Sequence, residues 1–259
     1  MKRGILIVSF GTTYRETREK NIETIAQTVR EAFPDWSVYQ AYSSNIVRSI
    51  LEKRDHIIIR DVRETLRQMK RDGITRAAVL PTHLIDGIEN GKMKCTIEEC
   101  RELFSEIKTA RVLLGSEADY AAVAKALWRE IGEAAGNDPV ILMGHGTPHE
   151  ADGSYAKLEK QLRDCSGKEI YIATVDGSVA IADVIQKLDA SAQKRKRVLV
   201  LPLMLVAGDH AVNDMAGEED SFASNLRAAG YEPECIRKGI GEYEDIRDLY
   251  INHLREVIR

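Results

Sequence analysis

The chain is short of most features that announce a nucleotide, redox or membrane protein. Its four cysteines, Cys95, Cys100, Cys165 and Cys235, form no C-x-x-C pair, which removes zinc-ribbon and thioredoxin-like readings. They read as reduced thiols of a cytoplasmic protein. No G-x-G-x-x-G follows the first apolar run, and no G-x-S-x-G elbow occurs anywhere. Gly87-Ile-Glu-Asn-Gly91-Lys92-Met93 falls one residue short of the Walker spacing and ends in Met where Ser or Thr must reach magnesium. Neither a nucleotide nor an organic cofactor is expected. No run approaches the ~20 apolar residues of a membrane helix, and the apolar start of MKRGILIVSFG is too short for a signal peptide. No membrane partner is expected. The formal charge is −4, and the only basic cluster, Lys194 to Arg197, stands just before a strand, so nucleic acid is not an expected partner either.

What is present is ordinary in bulk and ordered in detail. A chain of 259 residues with 44% hydrophobic and 30% charged residues suits a soluble protein of one large domain or two ordinary ones. Apolar runs at Gly4–Phe10, Ser37–Tyr42, Ala77–Leu80 and Val112–Leu114 read as strands. Between them, helical spacing marks Glu16 to Phe33, Val62 to Met69, and a stretch carrying Ile97, Cys100, Phe104 and Ile107. Tyr120, Val123, Leu127 and Ile131 mark another helix. The order then repeats. Strands at Val140–Met143, Ile170–Val175 and Val198–Leu205, with a weak one near Cys235, alternate with helices around Tyr155–Leu162, Ile181–Leu188, Ser221–Ala229 and from Tyr243.

Strands alternating with crossover helices, twice over, predict an α/β fold of two similar domains, each a parallel four-stranded sheet flanked by helices. The halves share local words. Ser-Phe-Gly-Thr-Thr at 9–13 corresponds to Gly-His-Gly-Thr-Pro at 144–148, and Pro81, Gly87 and Glu89 correspond to Pro202, Gly208 and His210 at one offset. The expected domains are therefore 1–136 and 137–259, with a cleft between them. Oligomeric state is not readable, and a homo-oligomer is left open.

The stretch PVILMGHGTPHE, Pro139 to Glu150, holds the chemistry. A parallel strand that ends in a small-residue turn delivers its last side chain to the carboxyl edge of the sheet, where such folds bind ligands. That side chain is His145, with Gly144 and Gly146 on either side. By the repeat, Phe10 is its counterpart in the first half, and Glu89 is the counterpart of His210. Two imidazoles and a carboxylate suit a first-row divalent ion, and neutral imidazole accepts protons near neutral pH. Asp176 ends the neighbouring strand and can add a carboxylate, or can simply make an Asp-Gly turn. Gly146 and Pro148 argue against a helical H-x-x-x-H pair, which leaves His149 a bystander. His83 stands near the sheet edge, His253 falls on an apolar helix face, and His56 lies in a charged, solvated segment.

SFGTTYRETREKNI, PTHLIDGIE at 81–89, ILMGHGTPH at 141–149 and LPLMLVAGDHAVNDMAGEEDS at 201–221 together resemble the class II chelatases. The resemblance is to the anaerobic sirohydrochlorin cobalt chelatases of cobalamin synthesis and spans nearly the whole chain. It implies ATP-independent insertion of Co²⁺, the metal substrate, into the tetrapyrrole sirohydrochlorin (precorrin-2/factor II). It also implies that His145 and His210 bind metal and accept protons, with Glu89 the acidic partner. The family commonly has Glu where this chain has the shorter Asp176. Metal insertion releases two pyrrole N–H protons, so a base must stand beside the macrocycle. His145 is that base, and activity is expected to fall on acidification through the ~6.5 region where imidazole ionises. The substrate's carboxylates call for donors, expected from the amides of Gly11, Thr12 and Thr13 beside Phe10 and from the loop at Gly87. Arg15, Lys92 and Lys94 are either further donors or ordinary surface charge. Rival readings are an iron or nickel chelatase, a non-enzymatic tetrapyrrole or haem carrier, and a metal-dependent hydrolase.

Overall fold

The computed structural model describes residues 2–193 and 195–258; Lys194 of the basic cluster lies outside them. β1 (Lys2–Ser9) is buried from Gly4 on, as its apolar run requires of a central parallel strand. A helical stretch follows, α1 (Arg15–Thr17), a π-helical segment (Arg18–Glu23) and α2 (Thr24–Ala32). Then come β2 (Ser37–Tyr42), α3 (Asn45–Asp55), α4 (Val62–Arg71), β3 (Ile74–Pro81), α5 (Ile88–Glu99) and β4 (Glu106–Thr109). The four strands are parallel in the order β2-β1-β3-β4.

The second set runs α6 (Glu117–Ala135), β5 (Val140–Gly144), α7 (Gly153–Ser166), β6 (Ile170–Thr174), α8 (Ile181–Ala190), β7 (Arg197–Pro202), α9 (Phe222–Ala228) and β8 (Glu232–Cys235). Its sheet is also parallel, in the equivalent order β6-β5-β7-β8. A π-helical turn, Ala211–Met215, lies between β7 and α9, and the chain continues into α10 (Glu244–Ile258). The expected architecture of two four-stranded parallel sheets flanked by helices is what the chain adopts.

The repeat extends to individual hydrogen bonds. Ser43 N donates to Ser9 O and Ser44 N to Phe10 O; in the second sheet Val175 N donates to Gly144 O and Asp176 N to His145 O. Thr82 N–Val8 O has its counterpart in Leu203 N–Met143 O. Leu113 and Leu114 N bind His83 and Leu84 O as Ile240 and Gly241 N bind Met204 and Leu205 O. One backbone plan is built twice.

Local chemistry explains the elements. In α4, Val62, Thr65, Leu66 and Met69 share the buried face, and each large apolar side chain contributes roughly 1.5–3 kcal/mol. Asp61 and Glu64 close a capping box at its start, which adds about 1 kcal/mol. Leu66→Ala is the single change that breaks this packing, at roughly 2–5 kcal/mol.

Several sequence expectations shift. The fourth strand is Glu106–Thr109, not Val112–Leu114; the latter is a buried segment bonded to the His83 and Leu84 carbonyls. Ile107 therefore lies on a strand, and the helix carrying Ile97 ends at Glu99. β7 stops at Pro202 instead of Leu205. α3 was not expected at all; Ser44 caps it, its Oγ accepting from Val47 N. The 136/137 boundary also shifts. The compact units are Met1–Gly115 with Glu244–Arg259, and Ser116–Tyr243. α6 packs on α7 and so joins the second unit, whereas α10 packs on α2 and β3 and returns to the first. Within that first unit, fully buried Tyr250 donates its hydroxyl to Thr82 O at 2.9 Å, just past the end of β3.

Candidate active site

β5 lies between β6 and β7, so its carboxyl end is the middle of the second unit's sheet edge. His145 is the first residue past it. The Asp176 N–His145 O hydrogen bond, at 2.7 Å, carries the β5/β6 pairing one step beyond the strands and sets these two residues side by side. His210 arrives from the other neighbour, β7. It precedes the π-helical turn, whose Ala211 and Met215 are buried in the unit's core and fix it to the sheet. The two imidazole rings meet edge to face, with centroids 4.8 Å apart and planes at 85°.

Small residues make this edge. Gly144 leaves room for the Tyr155 ring, which a Cβ there would meet at 2.5 Å. Gly146 has φ +83°, and a Cβ on it would overlap the backbone of Gly177. The neighbours that these glycines admit are thus parts of the fold itself. Asp152 ties the loops together, accepting from Thr147 N at 3.1 Å and from Ser178 N and Oγ at 2.9 and 2.6 Å. Buried Tyr155 accepts from Gly146 N at 3.3 Å. Burial pushes its ionisation up, so it stays a neutral phenol.

The hydrogen bonds fix the tautomers. His145 Nδ1 lies 3.0 Å from Gly146 O, and His210 Nδ1 lies 2.7 Å from an Asp214 carboxylate oxygen. Both partners can only accept, so each neutral ring carries its proton on Nδ1 and keeps the Nε2 lone pair bare. His145 Nε2 is 3.9 Å from Asp176 Oδ2, too far for a hydrogen bond. A proton or a divalent ion arriving at that nitrogen would be attracted by the carboxylate as well. All four side chains are at least a third exposed. Among the described residues no three His, Cys, Asp or Glu side chains form a ready-made metal cage.

Glu89 belongs to the first unit. It sits in the first turn of α5, with Gly87 as the residue before the helix, and its carboxylate accepts from Lys92 Nζ at 2.7 Å. Phe10 is half-exposed, an unusual position for so large an apolar side chain, whereas Gly11 and Thr12 are buried. Gly11 has φ +100°, and a Cβ on it would overlap the Tyr42 ring. Thr12 Oγ1 accepts from Tyr14 N, and Thr13 O accepts from Arg54. Arg15 and Lys94 pair with Glu19 and Asp86 at 2.8 and 2.6 Å, which leaves them, with Lys92, in surface ion pairs.

The remaining histidines divide as follows. His149 Nδ1 accepts from Ala151 N and caps a short turn. His253 is buried, and His56 is exposed with φ +56°. His83 has both ring nitrogens buried without a hydrogen-bond partner among the described residues. Burial lowers its pKa from 6.5 to about 4, against the opposing pull of Glu89 and Asp86. Sequence reasoning missed Asp214, Asp152 and Tyr155. The His-x-x-x-Asp spacing of 210 and 214 is the one signal that could have found the first.

Comparison with known proteins adds to this geometry. Residues 3–259 match a family model described as "Cobalt chelatase (CbiK)". The chain is 32% identical over 260 residues to the sirohydrochlorin cobaltochelatase of Salmonella typhimurium, covering 100% of this chain and 97% of that protein. It is also 32% identical over 267 residues to the sirohydrochlorin cobaltochelatase CbiKC of Nitratidesulfovibrio vulgaris, covering 99% and 91%. Among solved structures it resembles SirB from Bacillus subtilis with Fe³⁺, at 15% identity, TM-score 0.70 and coverage of 99% and 95%. At this identity the likeness concerns the fold.

Proposed function

The chain belongs to the cobalt chelatase (CbiK) family, and on that premise we propose that it inserts Co²⁺ into sirohydrochlorin, without a nucleotide, in cobalamin biosynthesis. The observation that carries the reading is the His145–His210 pair, edge to face, with both Nδ1 protons engaged and both Nε2 lone pairs free.

Insertion exchanges two N–H bonds of the macrocycle for metal–nitrogen bonds, so protons must leave as the ion arrives. His145 Nε2 takes the first proton, and the imidazolium so formed is stabilised by Asp176 across 3.9 Å. His210 holds the ion and releases it. A donor set with few fixed ligands suits this, because a tightly caged ion would not transfer. Imidazole and carboxylate also bind iron and nickel, so cobalt rests on family membership and not on the donors. The described residues include no helix long and apolar enough to cross a membrane. The four free cysteines accord with the reducing cytoplasm, where we place the enzyme.

Anaerobic absorbance spectroscopy of the protein with sirohydrochlorin and Co²⁺ tests this. A rate well above the spontaneous background, abolished by His145→Ala, is expected. A rate equal to background, with a tight-binding spectral shift, would identify a carrier instead.

A further inference from the structure

His145 and His210 look alike in sequence but differ in what holds them. The Nδ1 proton of His145 goes to a neutral carbonyl, that of His210 to a carboxylate. We propose that Asp214 is the positioning residue for His210: it orients the ring, locks the proton on Nδ1, and makes Nε2 the stronger metal donor of the pair. The proposal rests on the reading of His210 as a metal-holding residue and assigns the division of labour within it. A carboxylate behind an imidazole raises the basicity of the opposite nitrogen, and loss of such a partner commonly weakens metal binding 10–100-fold. His145, whose imidazolium Asp176 Oδ2 would stabilise from 3.9 Å at Nε2, is left as the proton acceptor.

The plainer reading is that this bond merely staples a helical turn. Three observations weigh against it. The turn is anchored through buried Ala211 and Met215, one residue further along than His210 and Asp214. A separate side-chain bond of the same spacing, Asn213 Nδ2 to Asp209 Oδ1 at 3.1 Å, already spans it. His210 and Asp214 are both more than a third exposed, where such pairs contribute little stability. The π-helical winding of the turn that follows His210 is itself typical of functional positions.

The test uses ¹⁵N-histidine-labelled protein and two-bond ¹H–¹⁵N NMR at pH 8, with His210 assigned by its disappearance in His210→Ala. The full protein is expected to show His210 as the Nδ1–H tautomer, and Asp214→Ala is expected to move it substantially to Nε2–H. In steady-state insertion assays, Asp214→Ala should raise the KM for Co²⁺ about tenfold, leaving the KM for sirohydrochlorin within about twofold. Asp214→Asn, whose amide oxygen still accepts from Nδ1–H, should retain the tautomer and recover most of the lost affinity. An unchanged tautomer in Asp214→Ala, an unchanged KM for Co²⁺, or an Asn variant as weak as the Ala variant would overturn the proposal. If His210→Ala itself inserts cobalt normally, the role given to His210 fails. If His210→Ala is impaired and Asp214→Ala is not, only the positioning role fails.

Discussion

The two units carry one backbone plan and unequal chemistry. Where the second has His145 after its central strand, the first has Phe10; where the second has Asp176, the first has Ser44, each bonded through the same backbone amide. At the third matched position Glu89 lies within the first turn of a 12-residue helix, whereas His210 opens a five-residue π-helical turn. The duplicated sheet edge thus carries two imidazoles beside Asp176 on one copy, and an apolar ring with the Lys92-paired carboxylate of Glu89 on the other. Position is set by the repeated hydrogen bonds. Chemistry is set by which residue occupies the position.

The largest effect should come from erasing that inequality. His145→Phe, which gives the second unit the residue of the first, is expected to cut cobalt insertion by roughly 10²–10⁴, the usual worth of a positioned base. Single-turnover absorbance measures it, and a loss below tenfold would remove His145 from the chemistry.

A second difference is acid sensitivity. Among the described residues, only the first unit buries an imidazole without hydrogen-bond partners beside its sheet edge, His83, with a pKa lowered from 6.5 to about 4. The unfolded chain therefore takes up a proton at this residue before the folded one does. Stability from this group is complete above pH 6.5 and declines as the pH falls to about 4, by about 3 kcal/mol at most. Urea midpoints across that window should fall less in His83→Leu than in the parent protein. Parallel curves would show that the ring is solvated.

Next in size are the matched glycines. Gly11→Ala and Gly146→Ala each place a Cβ at positive φ against a neighbour, Tyr42 in one case and the Gly177 backbone in the other. Each should cost about 1–3 kcal/mol by urea denaturation. Gly146→Ala should cost the more, because a ring can tilt and a bonded backbone cannot. Equal costs would mean that the two edges yield alike. The smallest effect belongs to the paired surface cation Arg15, whose replacement by Ala should leave the urea midpoint unchanged.

Much of this was legible in the sequence, because central parallel strands are continuous apolar runs and each run ended in recognisable turn residues. The failures have physical causes. β4 reads Glu-Ile-Lys-Thr, polar as an edge strand can be, whereas Val112–Leu114 is apolar because it is covered and not because it is paired. α3 escaped because its apolar residues do not mark a buried face: Ile46 and Ile50 are exposed and only Leu51 is buried. The donors at the site could be read by their place after strands. The groups that hold them, Asp152, Tyr155 and Asp214, lie on turns and helices whose contacts no local pattern encodes. Nor does periodicity say which sheet a helix will cover, which is why α10 was assigned to the wrong unit.

That last assignment has a consequence for how the protein is made. The hydroxyl of Tyr250 and the carbonyl of Thr82 are 168 residues apart in the chain. At the ~5–20 residues per second of translation, Thr82 is added to the chain roughly ten to thirty seconds before its partner. During that interval the whole second unit is made, and the first sheet waits for the helix that packs on β3. The half of the protein that begins first is the half that finishes last, and a nascent chain stalled before α10 would expose the apolar surface on which chaperones act.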